Sequence, residues 1–327
     1  MPRLRFRPDP YVVGILIAVA CAFLFPVSGV WAGRFSLATK VAVALLFFLY
    51  GARLPREVVV AGLIRWRLHL LVLSITFIVY PLIGFAWTFV PTSVLAAPLV
   101  IGLVFMSCVP STVQSNVALV ARARGDIAAA VCSASASNLL GVFLTPALVG
   151  LLLRSEGAHI STSAVQGVVV QLLLPFAAGQ VAHRWLGPVT ARYKDKLTYY
   201  DRLTIMMIVY SAFSAAVIGG VWKQVAPQQF VLIVVICLSL FVAIFTLAIR
   251  SARAFGYPVE DEIVVGICGT QKGMAAGVPI ATLIFPAATV GLILLPLLIY
   301  HQIQLIGCAI IAARYARRPV GKTSGGG

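Results

Sequence analysis

Two short polar runs carry the side chains with chemistry to offer: CVPSTVQSN over Cys108–Asn116 and CGTQKGMAAGVP over Cys268–Pro279. Each combines helix breakers, Pro110 in the first and Gly269 and Gly273 in the second, with neutral hydrogen-bonding groups. These are Ser111, Thr112, Gln114, Ser115 and Asn116, then Thr270 and Gln271. Both runs lie in the middle of apolar stretches. A helix broken inside a bilayer frees backbone N–H and C=O groups, each costing several kcal/mol, so a break persists only where protein or a watery cavity supplies partners. Neutral donors and acceptors around such a break suit a small polar solute or an ion. The alternative is a pair of kinked structural helices whose polar groups bond one another.

Lys272 is the sharpest single residue. An ionisable group at mid-span costs about 2.5–3.5 kcal/mol on insertion. Lys272 stands nine residues from Ile263 and thirteen from Phe285, too deep to snorkel from a straight helix. It is a candidate solute-binding group; the competing readings are a lysine released by local unwinding and a structural donor. His301, with Gln302 and Gln304 close behind, adds polar groups near the middle of the last apolar run, as packing glue or as part of a transport path. Ser133, Ser135, Ser137 and Asn138 are too closely spaced to share one helix face, so only one or two need line a cavity.

Enzyme chemistry finds no footing. No HExxH or GxSxG occurs, and every aspartate lies in a loop or at a helix end, so no intramembrane aspartyl dyad forms. The tail contains GKT, but Ala316 stands where a P-loop needs its first glycine. All six cysteines fall inside apolar runs without CxxC or Cys/His ligand spacing, so neither a disulfide framework nor a metal site is expected.

The elements that must position these groups are membrane helices. With 61% hydrophobic residues, 10% charged residues and a mean hydropathy of +1.02, the chain is far from the roughly one-quarter charge of soluble domains. Ten apolar runs are read as spans: 11–30, 37–51, 68–90, 98–120, 127–153, 164–182, 203–222, 230–249, 263–285 and 290–313. The second is short and must borrow flanking residues, tilt little or thin the bilayer. The net charge of +16 does not mark a nucleic-acid binder. With the N-terminus inside, inside connections hold 20 of the 25 Lys and Arg residues, outside connections hold Arg34, Lys40, Arg154 and Lys223, and Lys272 remains within a span. That alternation expects both termini and the 187–200 loop to be cytoplasmic. Pro26, Pro81, Pro146, Pro175 and Pro296 are expected as kinks. Ten spans divide into halves of five, 11–153 and 164–313, and an odd number per half inverts one against the other. The polar runs fall in the fourth and ninth spans, matching places in the two halves. Residues 1–327 form one membrane domain, with 314–327 as a flexible tail.

At these residues the chain resembles the bile acid:sodium symporter family, and more closely its SBF-like branch. The resemblance covers nearly the whole chain. It rests on FFLYGARLP (47–55), RWRLHLLVL (65–73), PSTVQSNVALVARARGDIAAAV and FLTPALVGLLL in the fourth and fifth spans, and GICGTQKGMAAGVPIATLIFP in the ninth. It implies an all-α membrane fold of ten helices in inverted five-helix repeats. A panel domain holds spans 1, 2, 6 and 7, and a core domain holds the rest, with discontinuous helices 4 and 9 crossing at their middles. In sodium-coupled relatives two sodium ions lie near that crossing. Ser115, Asn116 and Gln271 keep this chemistry, and with Ser133 they form the expected ion-binding set. The family's acidic ligand aligns with Ile267, two hydroxyl ligands with Ala130 and Ala134, and an asparagine with Lys272.

The resulting expectation is a secondary active transporter of a small anionic organic solute, working by alternating access. Its solute-binding candidates are Ser111, Thr112, Gln114, Ser115, Asn116, Thr270, Gln271, Lys272 and His301. No cofactor is expected; sodium dependence is in doubt, and sodium and proton remain open as the coupling ion. The setting is a bacterial inner membrane, as monomer or homodimer. Rival readings are a cation/proton antiporter of similar fold, lacking the mid-membrane acid it would need, and a membrane receptor that binds without turnover.

Overall fold

The computed structural model describes residues 10–53, 65–153, 167 and 169–318, and among them every regular element is helical. In chain order these are α1 (Pro10–Leu24), α2 (Gly29–Arg53), α3 (Trp66–Trp87), α4 (Ala97–Cys108), α5 (Gln114–Arg122) and α6 (Ile127–Leu153). They continue with α7 (Leu174–Arg192), α8 (Lys194–Ile218), α9 (Pro227–Ala254), α10 (Val259–Thr270), α11 (Met274–Ile284) and α12 (Ala287–Tyr315). Among the described residues seven stretches are long and apolar enough to cross a membrane: α2, α3, α6, α8, α9, α12 and Val259–Ile284, which joins α10 to α11.

Burial separates centre from periphery. The most apolar part of Val259–Ile284 is 94% buried, whereas that of α9 is 28% buried. The residues α9 exposes include Phe230, Val231, Val235, Leu238 and Val242. A continuous apolar face of this kind is what a helix presents to lipid.

The prolines act in two ways. Pro146 and Pro296 lie inside α6 and α12. Pro81 and Pro175 each follow a π-helical turn, Ile75–Val79 within α3 and Val169–Leu173 leading into α7. Proline lacks an N–H and crowds the preceding turn, and a wider turn accommodates both defects. Pro26 is not a kink: it lies in the connection between α1 and α2.

Other boundaries also differ from the sequence reading. Val30 belongs to α2, which starts at Gly29 and reaches 25 residues by taking in Arg34 and Lys40. The expected 187–200 loop is largely helix, since α7 runs to Arg192 and α8 starts at Lys194. Charged residues end the apolar run there but do not break a helix, because lysine and arginine are good helix formers. The tail begins later than position 314: α12 continues to Tyr315, and Arg318 donates to the carbonyl of Arg124 at 2.6 Å and to Glu260 at 3.0 Å.

Helices α2 and α7 cross with their backbones touching. A Cβ on Gly51 would stand 2.1 Å from the Phe176 carbonyl oxygen, and one on Gly179 would stand 2.0 Å from that of Phe48. Only glycine permits this approach. Gln180 Nε2 then donates to Gly51 O at 2.7 Å.

Candidate functional site

Helices α4 and α5 are separated by a break at Val109–Val113, and α10 and α11 by one at Gln271–Gly273, where Val109, Gln271 and Gly273 are all extended. Gly269 is not part of the break. It remains helical in α10 and faces Ile75. Helix α4 stops because Pro110 has no N–H to continue the ladder. The two breaks touch. Gly273 N–H donates to Pro110 O at 2.7 Å, and a Cβ on Gly273 would meet Ser111 O at 2.9 Å. Gly141 on α6 likewise leaves room for the Pro110 ring, which a Cβ would approach to 2.5 Å.

Buried backbone groups freed by a break need partners, and the fold supplies them in a matched way. At the first break α6 provides the side chains. Thr145 donates to Cys108 O at 2.9 Å, Ser137 Oγ accepts from Ser111 N–H at 3.0 Å, and Asn138 Nδ2 donates to Ser111 O at 2.7 Å. At the second break α12 does the same. The Gln304 amide accepts from Lys272 N–H at 2.7 Å and donates to Lys272 O at 2.8 Å, while Tyr300 donates to Thr270 O at 3.0 Å. The Tyr80 hydroxyl of α3 lies 2.6 Å from Thr270 O and against the Tyr300 hydroxyl, so two hydroxyl protons are shared over this three-oxygen cluster.

Each break also reaches the other's half-helix. Ser111 Oγ donates to Cys268 O near the end of α10, at 2.6 Å. Lys272 Nζ, fully buried, donates to Ser107 O and Val109 O at the end of α4, both at 2.9 Å, and to Thr76 O in the π turn of α3 at 3.0 Å. It also lies 3.9 Å from the centre of the Tyr80 ring.

Beside this scaffold sits the neutral cluster. Gln271 Oε1 accepts from Ser115 at 2.6 Å and from Thr112 at 3.0 Å, and the two hydroxyls touch each other. Asn116 Nδ2 donates to Ser111 Oγ at 2.8 Å. Ser111, Asn116 and Gln271 are buried, Thr112 and Ser115 are half-buried, and Gln114 is exposed. The cluster lies at the N-terminus of α5. Neither α5 nor α11 has a side-chain N-cap, so no side chain meets the positive pole of either half-helix.

The candidates thus fall into groups. Ser111, Thr112, Ser115, Asn116 and Gln271 come together; Thr270, Lys272 and His301 belong to the packing around the second break. His301 Nδ1 lies 3.3 Å from Lys272 O and 2.9 Å from Gln304 Nε2. Ser133 pairs with His69 Nδ1 at 2.7 Å instead of joining the cluster. Gln304, Ser137 and Asn138, noted in the sequence as polar groups inside apolar runs but not placed among the binding candidates, complete the crossing together with Tyr80, Tyr300 and Thr145, which sequence reasoning passed over. The signal for Gln304, Ser137 and Asn138 was a polar side chain inside an apolar run; Tyr80, Tyr300 and Thr145 carried none.

A second polar centre closes one end of the bundle. Arg65, before α3, bridges Asp126 and Asp261; Arg253 forks onto Glu262 at 2.8 and 3.0 Å, and Arg318 pairs with Glu260. Four connections that the charge pattern assigned to one side therefore meet.

A sodium ion, which the family resemblance implies, does not fit the donor set around the second break. Ile267, Ala130 and Ala134 are buried and offer no side-chain oxygen, and the carbonyls at the end of α4 already hold an ammonium group. A hard cation wants oxygen ligands.

Comparison with known proteins finds relatives along nearly the whole chain. A Pseudomonas aeruginosa protein, PA2026, is 44% identical over 97% of this chain and 96% of its own length. YfeH of Escherichia coli (strain K12), whose name proposes a symporter, is 41% identical over 95% of this chain and 93% of its own. The sodium/bile acid cotransporter 7-A of Xenopus laevis is 28% identical over 92% and 90%. The sequence profile of the SBF-like CPA transporter family matches residues 9–317, and the chain belongs to that family of membrane transporters.

Proposed function

We propose that this protein is a secondary active transporter that carries a small anionic organic solute by alternating access. The observation that carries the reading is the electrostatic asymmetry of the crossing. The C-terminal carbonyls of α4 and α10 are met by protein donors, including the only described lysine that is fully buried. The N-termini of α5 and α11 are uncapped, and α5 opens beside Thr112, Gln114 and Ser115. What remains on offer there is positive potential and neutral donors, which favour an anion.

The full architecture in this reading is ten spans in two inverted repeats, with α4–α5 and α10–α11 as the fourth and ninth. Its support is the exchange of roles between halves: α6, the fifth span, serves the first break as α12, the tenth, serves the second. The panel of α1, α2, α7 and α8 rocks against the remaining core, with the charged connections facing the cytoplasm of a bacterial cell. A cation/proton exchanger is the weaker reading. Five of the six described acids are paired to arginines at helix ends, and no carboxylate faces the crossing.

The test is thermal stabilisation of the purified protein by a panel of carboxylates, sulfonates and organic cations, followed by uptake of whichever binds into proteoliposomes. An anion is expected to stabilise the native protein, and Asn116→Ala and Gln271→Ala are expected to weaken both binding and uptake without unfolding the chain. Stabilisation by cations alone would reject the reading.

A further inference from the structure

Lys272 lacks the partner expected of a buried cation. Among the described residues no carboxylate lies within ion-pair distance of Nζ, and the described acids other than Asp195 are taken by Arg53, Arg65, Arg253 and Arg318. The ligands are instead three main-chain carbonyls, from Thr76, Ser107 and Val109, with the face of Tyr80 as the fourth neighbour. That is the coordination a protein offers a small monovalent cation: neutral oxygens and a π face.

The carbonyls are available for a definite reason. In the π turn of α3, Tyr80 N–H bonds Ile75 O. The next amide in that register belongs to Pro81, which has no N–H, so Thr76 O is left over. Ser107 O and Val109 O lie at the end of α4, where the chain turns extended at Val109 before Pro110 and the Ser111 N–H that would have met Ser107 O goes to Ser137 instead; they carry the negative pole of that half-helix. Two prolines thus create a three-carbonyl cradle in the buried centre of the bundle. Three carbonyls match the three N–H donors of an ammonium group, whereas a neutral amine would turn a lone pair toward one of them. Lys272 reaches the cradle from the opposite break because Gln304 grips both its backbone groups.

We propose that the crossing contains a monovalent-cation site whose permanent occupant is the protein's own Lys272 ammonium. The native chain therefore takes no free inorganic cation there, and Lys272→Ala converts the cradle into a site for a soluble one. The tether holds α3, α4 and the α10–α11 break at fixed spacing whatever the salt outside, so the two broken spans move together without a bound sodium ion.

The test uses thermal unfolding of the purified full-length protein and needs no transport substrate, so its outcome is separable from the transport reading. Native protein is compared in sodium, potassium and choline chlorides, and its midpoint is expected to be the same in all three. Lys272→Ala lacks three carbons and the amine, atoms that n-propylammonium replaces. Its midpoint is expected to fall, and to rise again with n-propylammonium but not with the neutral isostere 1-propanol. A tenfold excess over the dissociation constant raises the folded-to-unfolded ratio about elevenfold. Lys272→Met fills the space without charge and is expected to be destabilised and beyond rescue. If Lys272→Ala cannot be purified alone, it is purified in n-propylammonium, and failure to recover folded protein there counts against the proposal. So does sodium-specific stabilisation of the native protein, equal rescue by 1-propanol, or native stability of Lys272→Met.

Discussion

Gln304 is the residue on which the second break depends most directly. One amide closes both backbone groups of Lys272, accepting from its N–H at 2.7 Å and donating to its C=O at 2.8 Å, and Gln304 is fully buried. Gln304→Met keeps the volume and removes both contacts. The N–H loses its partner outright, and the carbonyl keeps only the His301 contact at 3.3 Å. An orphaned buried polar group costs about 1–3 kcal/mol, so the substitution is expected to cost about 2–4 kcal/mol, against stabilities of about 5–15 kcal/mol for folded proteins. Gln302→Met is the control. It sits on the same helix, half-buried, with no hydrogen bond to the break, and its cost is expected to stay within about 0.5 kcal/mol. Equilibrium unfolding in mixed detergent micelles measures both. A loss below about 1 kcal/mol for Gln304→Met, or equal losses for the two variants, would refute the claim that the amide satisfies the break.

Three further outcomes follow from the packing. Gly179→Ala would put a Cβ 2.0 Å from the Phe48 carbonyl; thermal unfolding should show it far less stable than Gly33→Ala, where nothing lies within 4 Å, since overpacking costs about 1–3 kcal/mol. Arg65→Gln removes the shared partner of Asp126 and of the buried Asp261, and because Arg65 is itself 39% exposed the expected loss is only about 1–2 kcal/mol. Arg65→Lys should recover little of it in the same unfolding assay, because a point ammonium cannot fork onto two carboxylates. Asp195→Cys at the exposed start of α8 should resist an impermeant maleimide added to intact cells and react once the membrane is opened; labelling from outside would reverse the orientation.

What the sequence made legible was where the backbone would lose its regular partners. Pro110 announced the first break, and the glycine-flanked TQK marked the second to within two residues, misplacing only Gly269. The charge alternation picked out connections at 65–67, 122–124, 250–253 and 314–318, which the fold brings together through Arg65, Arg124 and Arg318. What stayed hidden was which side chains would supply the missing partners, because those arrive from 26 to 196 residues away along the chain. Lys272 shows the limit most clearly. Its depth and charge marked it as functional, and a charged group at a polar crossing suggests a ligand contact. Its actual partners are carbonyls left over where Pro81 lacks an N–H and where α4 ends before Pro110, and a carbonyl leaves no mark in a sequence except through the proline that removes its donor or ends its helix. An intramembrane proline is therefore informative twice: once about the helix it interrupts, and once about the acceptor it leaves behind, five residues earlier in a π turn or in the last turn before a break. In this chain two such acceptor sets face one lysine, and that convergence turns an expensive buried charge into the tie between two broken spans.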